Sequence, residues 1–402
     1  MKTSSKVWAV ICLVGSTACG GAADDSYPLA TQEQAQSTGR TPAGYHVVKL
    51  ASLGGTRSIG NSINDLGLVA GQSRLAGNQT VRASAWFLGS QLDLGTLGGP
   101  NSGVIWPVKN LRGVISGIAE TADIDPLGEA WSCSAFFPTR TGRVCRGFVW
   151  EQGNMRALPT LGGTHGFATG TNNRGQTVGW AENTVRDPSC LPPQVLQFRA
   201  AVWGPRTNQI RELPPLPGDT TSAATAINDR GQVAGISGIC SNAVGEYSAA
   251  HAVLWENGQA TDIGNLGGVA WNTPMAINQR GDVVGFANAP DTDPPNDFNV
   301  RAFLFTKQGG IRNLGTLPGD ATSQALGINE WRQVVGLSCG ATCRAFVWEN
   351  GVMTDMNELD SSGSTETLRI AGDINDLGEI SGQTVNAQGE RSAFVALPRR
   401  GR

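Results

Sequence analysis

The chain has 402 residues and a formal net charge of -3; 40% of its residues are hydrophobic and only 16% charged. That balance excludes a disordered chain, and the lack of any basic cluster excludes nucleic acid as a partner. Its 54 glycines follow no collagen period, so they point to many tight turns and an all-β chain.

The first element is not part of the fold. "MKTSSK" carries Lys2 and Lys6, and "VWAVICLVG" is an apolar run too short to span a bilayer. Residues 1–19 therefore predict an export signal. Ser16-Thr17-Ala18-Cys19 resembles a bacterial lipobox, which implies cleavage before Cys19 and lipidation of that residue. Ser16 stands where leucine is usual, which leaves ordinary secretory cleavage as the alternative. Residues 20–43 are polar and aperiodic and predict a flexible tether. The folded part is expected over 44–398, with 399–402 as a tail.

From there one phrase recurs: an asparagine, a turn, and an apolar strand ending in glycine. It begins "INDLGLVAG" at Ile63 and "KNLRGVISG" at Lys109, and ends "INDLGEISG" at Ile374. Its asparagines are Asn64, Asn110, Asn172, Asn228, Asn278, Asn329 and Asn375. Asparagine closes an Asx-turn with its own side chain, and glycine three residues on supplies the positive φ. Only the sixth copy departs, with Arg332 in the glycine position.

A second hairpin follows each turn. Its first strand carries Trp86, Trp150, Trp203, Trp255, Phe305 and Trp348; its second ends in phrases such as "DLGTLGG" and "ELPPLPGD". Each unit is thus four strands, a-b-c-d. The leucine phrase is missing after the seventh asparagine turn, yet an unpartnered copy, "VKLASLGG" from Val48, precedes the first. A linear solenoid has no use for that segment. A ring does, because the N-terminal strand completes the last unit. The expected fold is all-β: a seven-bladed β-propeller of four-stranded blades, closed by its N-terminal strand. An open β-solenoid or two separate β-domains is the competing architecture.

The phrases "LGxLGG", "AIN-x-x-G-x-VVG" and "RAFLW/F-x-x-G" together resemble the HAF repeat family of bacterial extracellular proteins; "RAFLF" at Arg301 and "RAFVW" at Arg344 lie nearest the signature. The resemblance covers nearly all of the chain after the leader. It implies an exported repeat protein with no assigned activity, and it carries over no catalytic or ligand residue.

In such a blade the b–c and d–a connections share one face. The b–c connections are long and variable, which makes theirs the candidate binding face. Cys133, Cys145, Cys190, Cys240, Cys339 and Cys343 all lie in or beside them. An even count in an exported chain points to disulfides. Loop position groups Cys133 with Cys145, Cys339 with Cys343, and Cys190 with Cys240 across neighbouring blades; free thiols or another pairing are the alternatives.

Chemistry is sparse. Asp291, Asp293 and Asp297, and separately Asp123, Asp125 and Glu129, offer hard oxygens for Ca²⁺ without EF-hand spacing. No other cofactor is expected. Asp219 and Asp320 in "LPGD" fall on the same face and also suit turn capping. "GLSCG" at Gly336 matches a nucleophile-elbow pattern but belongs to the repeat's own strand b. His46, His165 and His251 occupy unrelated positions, and Arg82, Arg146, Arg199, Arg301 and Arg344 recur at the start of strand c.

The sequence therefore favours a monomeric, lipid-anchored envelope protein, or alternatively a secreted one. It would bind an unidentified protein or glycan, with no catalytic residue to name. The alternative is an enzyme acting on extracellular polysaccharide or another polymer through loop carboxylates. A purely structural envelope protein is the third class.

Overall fold

A computed structural model of the protein describes residues 44–129, 131–205, 209–290 and 298–399. The leader, Cys19, the tether and the three aspartates Asp291, Asp293 and Asp297 lie outside the described residues. The fold is all-β and propeller-like. Five four-stranded antiparallel meanders occupy residues 98–157, 166–213, 221–264, 273–315 and 322–355. A sixth sheet has eight strands. In it the strands of 367–398 and the N-terminal strand Tyr45–Lys49 form one half, and the strands of 54–93 form the other. A single parallel bridge, Arg57 to Arg391, joins the halves. Two short helices, Trp131–Phe136 and Met356–Leu359, interrupt the pattern.

The N-terminal strand lies antiparallel to the last strand, Arg391–Pro398, with Val47 opposite Ala396, Val48 opposite Val395 and Lys49 opposite Phe394. Tyr45 is fully buried there, and Leu50 continues the ladder through its N–H to the Ala393 carbonyl. The strands of all six sheets lie within residues 44–399.

The repeated asparagine explains itself in atoms. In Asn228 the side-chain oxygen accepts the N–H groups of Arg230 and Gln232, at 3.0 and 3.1 Å. Its amide donates to Gln232 Oε1 at 2.6 Å and to the Asn278 carbonyl at 3.0 Å. All of its hydrogen-bonding capacity is used, as a buried carboxamide requires. The second of these donations leaves the unit. Asn64 reaches the carbonyl of Asn110, and Asn110 that of Thr171, just before Asn172. Asn172 reaches Asn228, Asn278 reaches Asn329, and Asn329 reaches Asn375. Asn375 then donates to the carbonyl of Asn64 at 3.0 Å, back at the start of the chain.

A second circuit runs one residue on. The N–H of Asn173 meets Asp229 Oδ1, that of Asp229 meets Gln279, that of Glu330 meets Asp376, and that of Asp376 meets Asp65. Leu111 has no acceptor to offer, so the circuit lapses at Asp65. A third strut uses serines of strand a. Ser102, Ser222 and Ser323 accept the N–H of Ala83, Ala200 and Ala302, the alanine of the preceding unit's "RA" pair. Ser58 accepts that of Ala393 in the same way, across the two ends of the chain.

Two further sequence signals gain a cause. The glycine closing strand b faces a bulge in strand a: a Cβ on Gly71 or Gly336 would land on the carbonyl oxygen of Ile59 or Gln324. The recurrent tryptophans donate as well as pack. Trp86, Trp203 and Trp255 give their Nε1–H to the carbonyls of Ala51, Pro159 and Pro214, each in the preceding leucine phrase.

Arg332 takes the left-handed backbone of the glycine it replaces, at φ 61°. Its guanidinium donates twice to Asp282 of the preceding unit, at 2.7 and 3.1 Å. The buried Asp282 carboxylate thus depends on a strained residue.

Two measurements follow. Asn228→Ala strands buried groups in two neighbouring turns and should lower unfolding free energy in urea by about 3 kcal/mol. Arg332→Gly relieves about 1 kcal/mol of backbone strain but leaves Asp282 unpaired, for a net loss of about 1 kcal/mol or more. Adding Asp282→Gln, the residue type held by Gln176, Gln232 and Gln333 at this slot, should restore stability.

Candidate functional site

Antiparallel meanders place the a–b and c–d turns at one end of every unit and the b–c connections at the other. Six cysteines form three disulfides there: Cys133–Cys145, Cys190–Cys240 and Cys339–Cys343. The first and third close single loops. The second staples the b–c loops of the third and fourth units, where the Cys240 N–H also donates to Ser189 Oγ at 3.1 Å. The loop of the second unit is tied in through Glu129, whose Oε1 accepts the Leu196 N–H at 3.4 Å. Three consecutive long loops thus form one bonded collar. It presents Ile124, Val185, Leu191, Ile239 and Tyr247 to solvent.

Beneath the collar lies a continuous apolar layer. It includes Ile59, Ile118, Phe167, Ile236, Met275, Leu326 and Ile370, drawn from every unit. Trp106, Phe136, Phe167 and Trp180 make an aromatic group, with Phe167 stacked on Trp180 at 4.4 Å and Trp106 edge-on to both. At the opposite end, Lys109 stands where five other units have isoleucine and the third has Thr171. Its Nζ donates to the carbonyls of Ile328 and Ile374, at 2.5 and 2.7 Å, and pairs with Asp373 at 3.0 Å. Burial pushes the Asp373 carboxyl up to about 6 against the pull of Lys109.

Between collar and apolar layer lies a buried polar cluster. His165 Nδ1 accepts the Cys145 N–H at 3.1 Å, and Nε2 lies 3.4 Å from Asp125 Oδ2. With Nδ1 taken by a backbone donor, the proton sits on Nε2 and the ring has no free basic nitrogen. It braces the Cys145 backbone from the neighbouring unit. Burial raises the Asp125 carboxyl, but hydrogen bonds from His165 and from the N–H groups of Leu127 and Glu129 together hold it below its ordinary range.

Glu129, from the b–c loop of the second unit, and Glu182, from strand b of the third, meet here. Glu182 accepts the N–H groups of Thr164 and His165, at 3.1 and 2.7 Å, and Gln194 Nε2 at 2.9 Å. Glu129 is fully buried beside Glu182. Burial first, then the charge of the neighbouring Glu182, push its carboxyl up to about 8. It therefore holds its proton at neutral pH.

The remaining expected residues fall into structural roles. Ser338, centre of "GLSCG", is fully buried in strand b and accepts the Leu317 N–H at 2.9 Å. Ser73 and Ser237 do the same for Leu53 and Leu216. Asp219 accepts the Ser237 hydroxyl at 2.6 Å. Asp320 pairs with Arg344 at 3.0 Å, and Arg344 also holds Asp355 at 2.8 Å. The basic slot at the start of strand c pairs with strand d elsewhere too, as Arg199 with Glu212 and His251 with Asp262. Asp123 does not join Asp125 and Glu129 in a cation cage. Among the described residues no group of three or more His, Cys, Asp or Glu is placed to hold a metal.

Sequence reasoning noticed Glu129 only as a possible calcium ligand and passed over Glu182. The signal was present: "GIAE" at Gly117 and "GWAE" at Gly179 put Glu120 and Glu182 in one slot, three residues past the strand b glycine. Glu120 accepts a backbone N–H of its own unit's strand a, and Glu182 accepts two from the connection leading into strand a.

No protein-family model matches the chain, and no curated protein is significantly similar to it. Among solved structures it is similar to a puromycin-hydrolysing peptidase of Mycobacterium tuberculosis, at 12% identity and a TM-score of 0.38, over 86% of this chain and 61% of that one. It is also similar to a mutant of AofleA from Arthrobotrys oligospora, at 10% identity and a TM-score of 0.36, over 77% and 88%. A third is dipeptidyl peptidase 4 of Porphyromonas gingivalis, at 9% and 0.36, over 81% and 50%. The chain spans about three-fifths of the first of these. Likeness at this level carries no argument about function.

The raised Glu129 carboxyl gives a signed pH effect. A carboxyl that holds its proton more tightly when folded stabilises the fold below its unfolded pKa. That contribution is lost as pH rises through the folded value of about 8. Unfolding free energy should fall by on the order of 2 kcal/mol between about pH 5 and pH 9. Glu129→Gln removes the ionisable group at nearly constant shape, and its stability profile should be flatter over that window.

Proposed function

We propose that the chain is an exported, lipid-anchored, seven-bladed β-propeller of the HAF repeat type. It binds an extracellular protein or glycan through the collar of b–c loops. The observation that carries the ring is the asparagine circuit, which leaves Asn64 and returns to it from Asn375. Two others support it. The seventh three-stranded set gains Tyr45–Lys49 as its fourth strand. Lys109 of the second unit touches carbonyls of the sixth and seventh, which suits a narrow axis.

Binding is favoured by the collar itself. Three disulfides fit an oxidising, extracellular setting and make the long loops rigid. Rigid loops bearing Val185, Leu191, Ile239 and Tyr247 lose little entropy on engaging a partner. The enzyme alternative needs two carboxyl groups about 5–9.5 Å apart on either side of a substrate. Glu129 and Glu182 are both buried and accept backbone N–H groups, an arrangement that suits loop pinning better.

Two experiments test this. Deleting residues up to 50 removes the closing strand; the melting midpoint should drop by about 5–10 °C, and an unchanged midpoint would argue against closure. A screen of the purified chain against immobilised glycans and envelope polymers should yield a binder whose retention falls in Tyr247→Ala and Leu191→Asp. Release of soluble fragments from a polymer, abolished by Glu182→Gln, would instead establish the enzyme.

A further inference from the structure

The opposite face carries a pattern that binding at the collar does not use. Two residues past each circuit asparagine, the turn presents one exposed side chain. In circuit order these are Leu66, Arg112, Arg174, Arg230, Arg280, Trp331 and Leu377. The hydrogen bonds that link successive turns make this a spatial order. Trp331 lies over the next turn, its Nε1–H donating to the Asp376 carbonyl at 2.9 Å, and the Asp376 N–H reaches Asp65 beside Leu66. One arc is therefore apolar, Trp331–Leu377–Leu66, and Leu111 extends it in the next turn. The other arc is basic. Arg174, Arg230 and Arg280 make no ion pair among the described residues, and Arg112 has only a 3.6 Å contact with Glu151.

The c–d hairpins on the same side extend the apolar arc. Leu88 is 88% exposed at a hairpin tip, in left-handed backbone at φ 49°. Equivalent tips carry Gln152, Asn257 and Asn350. A bulky apolar residue held in that conformation and facing water has no stabilising role in the fold. Phe87 beside it and Val352 in the sixth unit are also exposed. The carboxylates that directly follow a circuit asparagine, Asp65, Asp229, Glu330 and Asp376, turn along the circuit to neighbouring backbone N–H groups, while the arginines stand in solvent.

This is also the side where the chain enters the fold. Tyr45 lies opposite Pro398 at the c–d end of the last strand, and the Arg399 N–H donates to the Gly44 carbonyl. The 43 residues before Gly44 therefore leave from the apolar and basic face.

We propose that this face rests on a lipid bilayer. Leu66, Leu88, Trp331 and Leu377 enter the interfacial zone, where leucine gains from burial and tryptophan suits the headgroup level. Arg174, Arg230 and Arg280 meet lipid phosphates. The bilayer fits better than a second copy of the chain, because apolar residues and unpaired arginines lie side by side in one plane at the exit of the leader. The anchor reading enters only through that direction, and the test omits the anchor so that each stands or falls alone.

Residues 44–402 would be sedimented with vesicles of phosphatidylethanolamine and phosphatidylglycerol, and with vesicles of phosphatidylcholine alone. Preferential co-sedimentation with the anionic vesicles is expected. Leu88→Asn combined with Leu377→Asn should lower partitioning about tenfold or more. Asparagine is the residue type at equivalent hairpin tips and Leu377 is exposed, so the fold should be retained, as a melting curve would check. Arg174→Gln, Arg230→Gln and Arg280→Gln together should remove the preference for anionic lipid, and Tyr247→Ala on the collar should change nothing. Failure to co-sediment with either vesicle, or binding unaffected by these changes, would overturn the proposal. So would a dimer in solution that Leu88→Asn dissolves, which would assign the face to a second copy of the chain.

Discussion

One side-chain amide holds successive units in register. An asparagine at the head of each a–b turn accepts two N–H groups of its own turn and donates across the junction to the next. Local turn and inter-unit contact are thus made by the same atoms. A unit whose turn is misformed cannot dock, and a unit that does not dock leaves a buried amide unsatisfied, at a cost of about 1–3 kcal/mol per group. Van der Waals packing between sheets tolerates small rotations; this hydrogen bond does not. The same junction is reinforced by the serine strut to the preceding alanine and by the tryptophan bond to the preceding leucine phrase. Each copy of the repeat therefore carries both its own turn and half of a joint.

The parts of this arrangement visible in sequence are those fixed by single residues of special chemistry. Asn followed by Gly announced the turn, and the strand b glycine announced a close approach that proves to be a bulged carbonyl. The unpartnered "VKLASL" segment pointed to its partner, because only the last unit lacked an outer strand. Arg332 read as a defect; the structure instead gives it the backbone of a glycine and a carboxylate to hold. No sequence signal links it to Asp282, which is fifty residues away.

The polar cluster under the collar was far less legible. Glu129 meets Glu182 only because an irregular loop of one unit folds over strand b of the next, and loop paths are not written in a periodicity. The same holds for His165. Its Nδ1 accepts the Cys145 N–H as Asn101 accepts that of Val81 at the preceding junction, so that a residue type associated with catalysis serves as a brace. Burial and a neighbouring charge raise the Glu129 carboxyl, and neither was visible without the partner. The exposed turn residues were visible singly, but their sorting into an apolar arc and a basic arc depends on the circuit that orders the turns in space.

The pairing of Tyr45–Lys49 with Arg391–Pro398 sets a timetable. The first strand to leave a ribosome or a translocation pore has to wait for the last before it has a neighbour. Until then the chain carries two naked sheet edges, the hallmark of a species prone to stick to its own kind. A cell making this protein must therefore keep a nearly finished molecule apart from its siblings for as long as synthesis takes. Any pause or truncation near the carboxyl end turns that brief exposure into a permanent one.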